Sequence, residues 1–181
     1  MKMFFQSLEQ IEQATAQLQN TACPHCHRQR HLLSHGYIYK FVAGQAPIIV
    51  GKRVFCSNRR CHQGCGRTCP LYLATCLRFI HYSAAVFARF IEGLISGTTV
   101  EAAYLKATSA FDARQAWRWL DKLIANLPRW RAALPGLGAF SLPLYPKRRR
   151  LIAETCLALQ ARFSVKLIPN FQLQRQQGFL S

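Results

Sequence analysis

The chain has 181 residues, enough for one ordinary domain or two small ones. Half of the residues are apolar, which excludes a disordered tail, and 24 Lys and Arg face 7 Asp and Glu for a formal net charge of +17. So large an excess calls for a polyanionic partner, while the few carboxylates, scattered from Glu9 to Glu154, argue against the converging acids of a two-metal nuclease or transposase centre.

The N-terminus lacks the apolar core and small-residue cleavage site of a secretory leader. The most apolar stretch, Leu71 to Ile95, is interrupted by Arg78, His81, Arg89 and Glu92, well short of the ~20 residues of a membrane span. A cytoplasmic protein with no membrane partner is therefore expected, and there paired cysteines bind metal more often than they form disulfides.

Taken in order, Phe4, Leu8, Ile11 and Leu18 fall at helical spacing and predict an amphipathic helix within an N-terminal segment 1–20. Its apolar face packs on the neighbouring strand-rich segment or makes a homodimer contact. From His31 the pattern turns to strand: 36–42 and 48–55 are rich in β-branched and aromatic residues, joined by a turn-like 43–47. Two strands alone are marginal in water, and the cysteines at both ends of this hairpin are the obvious staple.

The first cysteine knuckle is Cys23-Pro24-His25-Cys26. For the second, Cys56, Cys61, Cys65 and Cys69 compete. A knuckle needs a turn after its second cysteine that lets amide hydrogens approach the sulfur, and glycine permits the positive φ involved; Cys65-Gly66 has it and Cys61-His62 does not. The expected ligands of a structural Zn2+ are thus Cys23, Cys26, Cys56 and Cys65, with 57–64 looped out as a basic insertion. Cys61 in place of Cys65 stands as the alternative, as does a second metal on Cys61, His62, Cys69 and a further His. Four thiolates leave no open position for catalysis, so no enzyme is expected. Cys76 and Cys156 read as core residues. Tyr37, Tyr39, Phe41 and Phe55 are expected to cover the small ribbon core, the alternative being stacking against RNA bases.

After Pro70 helices are predicted over 82–95, from Thr98 or Thr99 to Ala107, and from Asp112, as cap with Gln115 completing a capping box, to a limit at Pro128. Three helices in this order match a helix-turn-helix layout. The third would then offer Arg114, Gln115, Arg118 and Lys122 to DNA, although a plain helical bundle with a solvated basic face gives the same pattern. Trp117 and Trp119, two apart, cannot both face a core. Residues 135–147 read as a linker, followed by the basic run Lys147, Arg148, Arg149 and Arg150, a helix to about Phe163 and a Gln-rich tail. Positive charge at a helix start is disfavoured by the macrodipole, which points to a phosphate contact, the alternative being a solvated basic linker. The expected organisation is α+β: a helix at 1–20, a zinc ribbon at 21–70, a helix-turn-helix bundle at 71–134, the linker, and a C-terminal helix and tail at 148–181.

Cys23-Pro24-His25-Cys26, His35-Gly36-Tyr37, Lys52-Arg53-Val54-Phe55-Cys56 and Gly64-Cys65-Gly66-Arg67-Thr68 together resemble the zinc ribbons of bacterial insertion-sequence and transposon proteins, which a helix-turn-helix commonly accompanies. The chain has no room for the integrase core of full transposases. The resemblance implies an accessory or regulatory factor of a mobile element that binds double-stranded DNA while another polypeptide, a transposase, does the strand chemistry. Arg53, Arg59, Arg60 and Arg67 would hold phosphates around the second knuckle. A protein-recruiting adaptor and an RNA-binding protein are the other classes that fit.

Overall fold

The computed structural model describes residues 3–41, 46–59, 61–78, 80–134, 147–164 and 166–180, the side chains of 147–149 excepted. Arg60 and the expected linker, save its last residue, lie outside them, as do the side chains of Lys147, Arg148 and Arg149. The chain is α+β and divides into two compact units, Met1–Cys76 with Gln172–Gln177, and Leu77–Phe171 with Gly178–Ser181.

The first unit is a four-stranded sheet in the order β1-β4-β3-β2, built from β1 (Phe4–Phe5), β2 (Leu32–Lys40), β3 (Ile48–Cys56) and β4 (Thr68–Leu73). The two predicted strands are β2 and β3, antiparallel with Leu32 opposite Cys56 and Lys40 opposite Ile48. The sequence suggests a turn into helix at β4, which is instead a strand antiparallel to β3. Its Pro70, which donates no backbone hydrogen bond, sits opposite Arg53 where the short β1 does not reach; β1 pairs in parallel only with Tyr72 and Leu73.

The helix predicted over 4–18 is divided for a related reason. Phe4 and Phe5 are buried as strand residues, Ser7 caps α1 (Leu8–Ala16) through its hydroxyl, which accepts from Gln10 N–H, and a short 3-10 turn covers Leu18–Asn20. The apolar face of α1 is spent inside this unit, where Ile11 and Leu18 pack with Phe5, Leu32, Val54 and Leu71. Lys52 reaches from β3 to Glu12 of α1 at 2.5 Å. The free edge of β1 is closed by a side chain: Gln176 Oε1 accepts from the backbone N–H of Met3 (2.8 Å) and Phe4 (3.0 Å), and its Nε2 donates to Phe4 O. A side-chain amide thus takes the role of a neighbouring strand's peptide.

The second unit is helical: α2 (Ala84–Ile95), α3 (Val100–Thr108), α4 (Ala116–Ala132), α5 (Lys147–Phe163) and the start of α6 (Leu167–Arg175). Ser83 caps α2 and Thr99 caps α3, their hydroxyls accepting from Val86 and Ala102 N–H. α4 departs from expectation at both ends. Asp112 does not cap a helix: its carboxylate accepts from Arg114 N–H and guanidinium within the preceding turn, so α4 begins only at Ala116 and Gln115 makes no side-chain cap bond. At the other end α4 runs through Pro128, since burial of Leu127, Trp130 and Leu134 outweighs the missing hydrogen bond. The Gln-rich tail is ordered as well. It carries α6, and Phe179 stacks on Trp130 at 4.5 Å while its carbonyl accepts from Trp130 Nε1 at 3.0 Å.

Trp119 stands at the centre of an aromatic cluster, with ring centroids 5.4 Å from Tyr82, 5.0 Å from Phe87, 5.3 Å from Phe90 and 4.9 Å from Tyr104. Trp117, on the same helix, is 44% exposed. Trp119→Ala is expected to destabilise this unit by about 3–5 kcal/mol through cavity formation, and Trp117→Ala by less than about 1 kcal/mol. Denaturant unfolding of the two variants checks the order, and equal losses would contradict the packing described.

Candidate metal centre

The sulfurs of Cys23, Cys26, Cys56 and Cys65 all lie within 4.8 Å of one another. Cys23 and Cys65 are 3.8 Å apart, and Cys26 and Cys56 3.7 Å. A regular tetrahedron with metal–sulfur bonds of about 2.3 Å has an edge of about 3.8 Å, so the cage has the size of a four-thiolate site. Among the described residues it is the one cluster able to hold a metal ion.

Each pair of sulfurs is positioned by its knuckle's backbone, and the two knuckles repeat one hydrogen-bond pattern. Cys23 N–H donates to Arg28 O, and Cys56 N–H to Arg67 O, both at 2.9 Å. His27 N–H donates back to Cys23 O, and Gly66 N–H to Cys56 O, again at 2.9 Å. The residue after each second cysteine is in the left-handed region, His27 at φ 58° and Gly66 at φ 72°. Amide hydrogens also reach sulfur, from His25 to Cys23 at 3.4 Å and from Cys65 to Cys56 at 3.3 Å.

The second knuckle differs from the first by the inserted residues 57–64. Gly64 N–H closes the neck of this loop on Ser57 O at 2.6 Å, and the approach is so tight that a Cβ on Gly64 would lie 2.3 Å from that oxygen and 2.5 Å from Cys56 Sγ. The loop is tied to the rest of the N-terminal unit at several points: Ser57 N–H donates to His31 O at 2.7 Å, Gln63 N–H to His31 Nδ1 at 3.4 Å, and Arg28 to Gln63 O. No sequence signal announced Ser57, His31, Gln63 or Arg28 as supports, because these bonds join groups that lie 26 to 35 residues apart in the chain.

The cage is electrostatically graded. For Cys23 burial acts upward, but amide hydrogens from Cys26 and His25 and the neighbouring thiols outweigh it and bring the thiol down to about 7. Burial pushes Cys56 up to about 12. Of these two thiols, Cys23 is the more readily ionised.

The remaining cysteines are not part of the cage. Cys61 is exposed on the loop, Cys156 is buried in α5, and Cys76 is buried just beyond β4 rather than on a helix. Cys69 is buried in β4, its thiol pushed up to about 11 by burial and then by Cys23 and the other cage thiols.

Around the cage Arg53, Arg59 and Arg67 are exposed, and no Asp or Glu occurs anywhere from residue 13 to residue 91. The expected aromatic cover of the ribbon is only partly present. Phe55 is half-buried, whereas Tyr37, Tyr39 and Phe41 are 37%, 51% and 70% exposed, because β2 is the edge strand and α1 already fills the core. In the helical unit Arg114, Gln115 and Arg118 are exposed and Lys122 half-buried. Arg114 is held by Asp112 at 2.8 Å and Arg150 by Glu154 at 2.9 Å. The shorter connection, 96–99, lies between α2 and α3, while 109–115 precedes α4. No helix among the described residues is long and apolar enough to cross a membrane.

No known protein family, curated protein or solved structure matches this chain.

If the cage holds one metal ion, Cys65→Ser abolishes stoichiometric metal binding and Cys61→Ser leaves it intact. Metal analysis of the purified variants decides the point, and retention by Cys65→Ser with loss by Cys61→Ser would reassign the fourth ligand.

Proposed function

We propose that this protein is a DNA-binding factor whose N-terminal unit is a zinc ribbon and whose helices α2 to α4 act as a helix-turn-helix reader. Zinc is the ion favoured by four sulfurs at tetrahedral spacing with no position left open, a donor set that serves structure rather than catalysis. In this reading the ion contributes folding energy to a small sheet, because the unfolded chain holds no preformed site. The likeness of the knuckles to transposon zinc ribbons supports an accessory role in a bacterial mobile element, with a transposase supplying the strand chemistry.

The observation that carries the DNA assignment is the charge. A chain of +17 with no carboxylate between residues 13 and 91 presents exposed Arg53, Arg59 and Arg67 that form no ion pair among the described residues, and a polyphosphate would neutralise them. At the start of α4, Gln115 just before its first residue and Arg118 in its first turn are exposed, at the end that enters the major groove in this class of reader. Lys122 and the basic start of α5 would add backbone contacts.

One observation favours a second reading, binding of single-stranded RNA: Tyr37 and Tyr39 on the edge strand and Phe41 just beyond it are exposed, where bases could stack.

Affinity for duplex DNA is expected to fall steeply with salt, with a log–log slope of roughly −3 to −6. Arg53→Ala and Arg67→Ala should each flatten it by about one. Anisotropy titrations from about 50 to 200 mM salt measure it, and a flat dependence would overturn the phosphate mechanism.

A further inference from the structure

The insertion in the second knuckle builds something that the first knuckle lacks. Residues of the looped-out 57–64 stand against the face of the sheet turned away from α1, and between them lies an open cavity of about 440 Å³, within the roughly 300–1,000 Å³ of small-ligand sites. One wall is apolar: Leu33 and His35 of β2 and Phe55 of β3. The His35 and Phe55 rings are 5.8 Å apart and tilted by 41°, Phe55 is half-buried, and Leu33 is 41% exposed. The opposite wall is polar, made by Ser57, Arg59 and His62 of the loop.

The polar wall is fixed in place. Ser57 Oγ accepts from Arg59 N–H at 3.3 Å and His62 N–H donates to Arg59 O at 3.1 Å, while the His62 ring meets His31 edge-on at 5.7 Å. Arg59 is exposed and pairs with no carboxylate among the described residues. On the strand side Arg53, two residues before Phe55, shares the face of β3 that lines the cavity.

We infer that this cavity receives one unpaired nucleotide of a nucleic-acid strand, its base stacked on Phe55 and His35 and its phosphate held by Arg59. The assignment rests on the nucleic-acid reading above and adds to it a site for a base outside a duplex, such as a frayed end or overhang. The chemistry divides as such a ligand requires, with an aromatic platform on one side and an unneutralised guanidinium with imidazole and hydroxyl donors on the other. A purely apolar ligand would leave Arg59 and His62 facing it unpaired, and a simple anion would make no use of the Phe55 ring.

The test uses the full metal-loaded chain and four labelled probes: a blunt DNA duplex, the same duplex with a short single-stranded overhang, one strand alone, and the matching RNA strand. The wild type is expected to bind the overhang probe about 5- to 100-fold more tightly than the blunt duplex, the worth of one stacked base. Phe55→Leu, which keeps an apolar side chain in the sheet, and the surface substitution His35→Ala should erase that preference. Blunt-duplex affinity and metal content should stay as in the wild type. A tighter hold on the RNA strand than on the DNA strand assigns the nucleotide to RNA and keeps the pocket. Equal binding of blunt and overhang probes overturns the pocket and leaves the duplex reading standing. Failure of the metal-loaded protein to bind any of the probes at low salt overturns both.

Discussion

The N-terminal unit depends on the convergence of four sulfur atoms at the open end of a hairpin. Its apolar core, formed by Phe5, Ile11, Leu18, Leu32, Val54 and Leu71, is small for a sheet whose β2 edge and far face meet solvent. What fixes this sheet is that the chain entering β2 and the chain leaving β3 form knuckles of the same backbone shape, each with its first cysteine's N–H and C=O tied to the two residues after its second. With the sulfurs at near-tetrahedral spacing, an ion at the centre would join the two knuckles and hold the register that sets Leu32 against Cys56.

The cage was legible in the sequence because its constraint is local. Gly66 after Cys65 announces a left-handed backbone position, and that one feature separated Cys65 from Cys61. The caps Ser83 and Thr99 were equally readable, since an N-cap acts over three residues. What was not legible depends on partners distant in the chain. β4 carries Pro70 and comes after a cysteine cluster, so it reads as a turn, and it is a strand because β3 offers an edge and β1 pairs only beyond the proline. Gln172 and Gln176 look like part of a polar tail, yet their amides bond backbone groups about a hundred or more residues away. The late start of α4 comes from a competition invisible to periodicity: Asp112 had a cap position available and bonded Arg114 instead.

The few acids clarify how the basic surplus is distributed. Among the described residues three of the seven appear in ion pairs, Glu12 with Lys52, Asp112 with Arg114 and Glu154 with Arg150, and each lies outside the stretch from 13 to 91. Glu12 draws Lys52 under α1, which takes that cation off the outer face and leaves Arg53, its neighbour on the strand, pointing the other way. Alternation along β3 thus sorts adjacent cations into one that staples the fold and one that stays exposed. The insertion acts in the same direction. The first knuckle has the same backbone hydrogen bonds without such a loop, so the residues 57–64 are not needed for the geometry that the two knuckles share. They add a basic wall, anchored through His31, Gln63 and Arg28 to the other knuckle, so that an ion in the cage would stiffen a surface whose chemistry faces outward as well as the sheet.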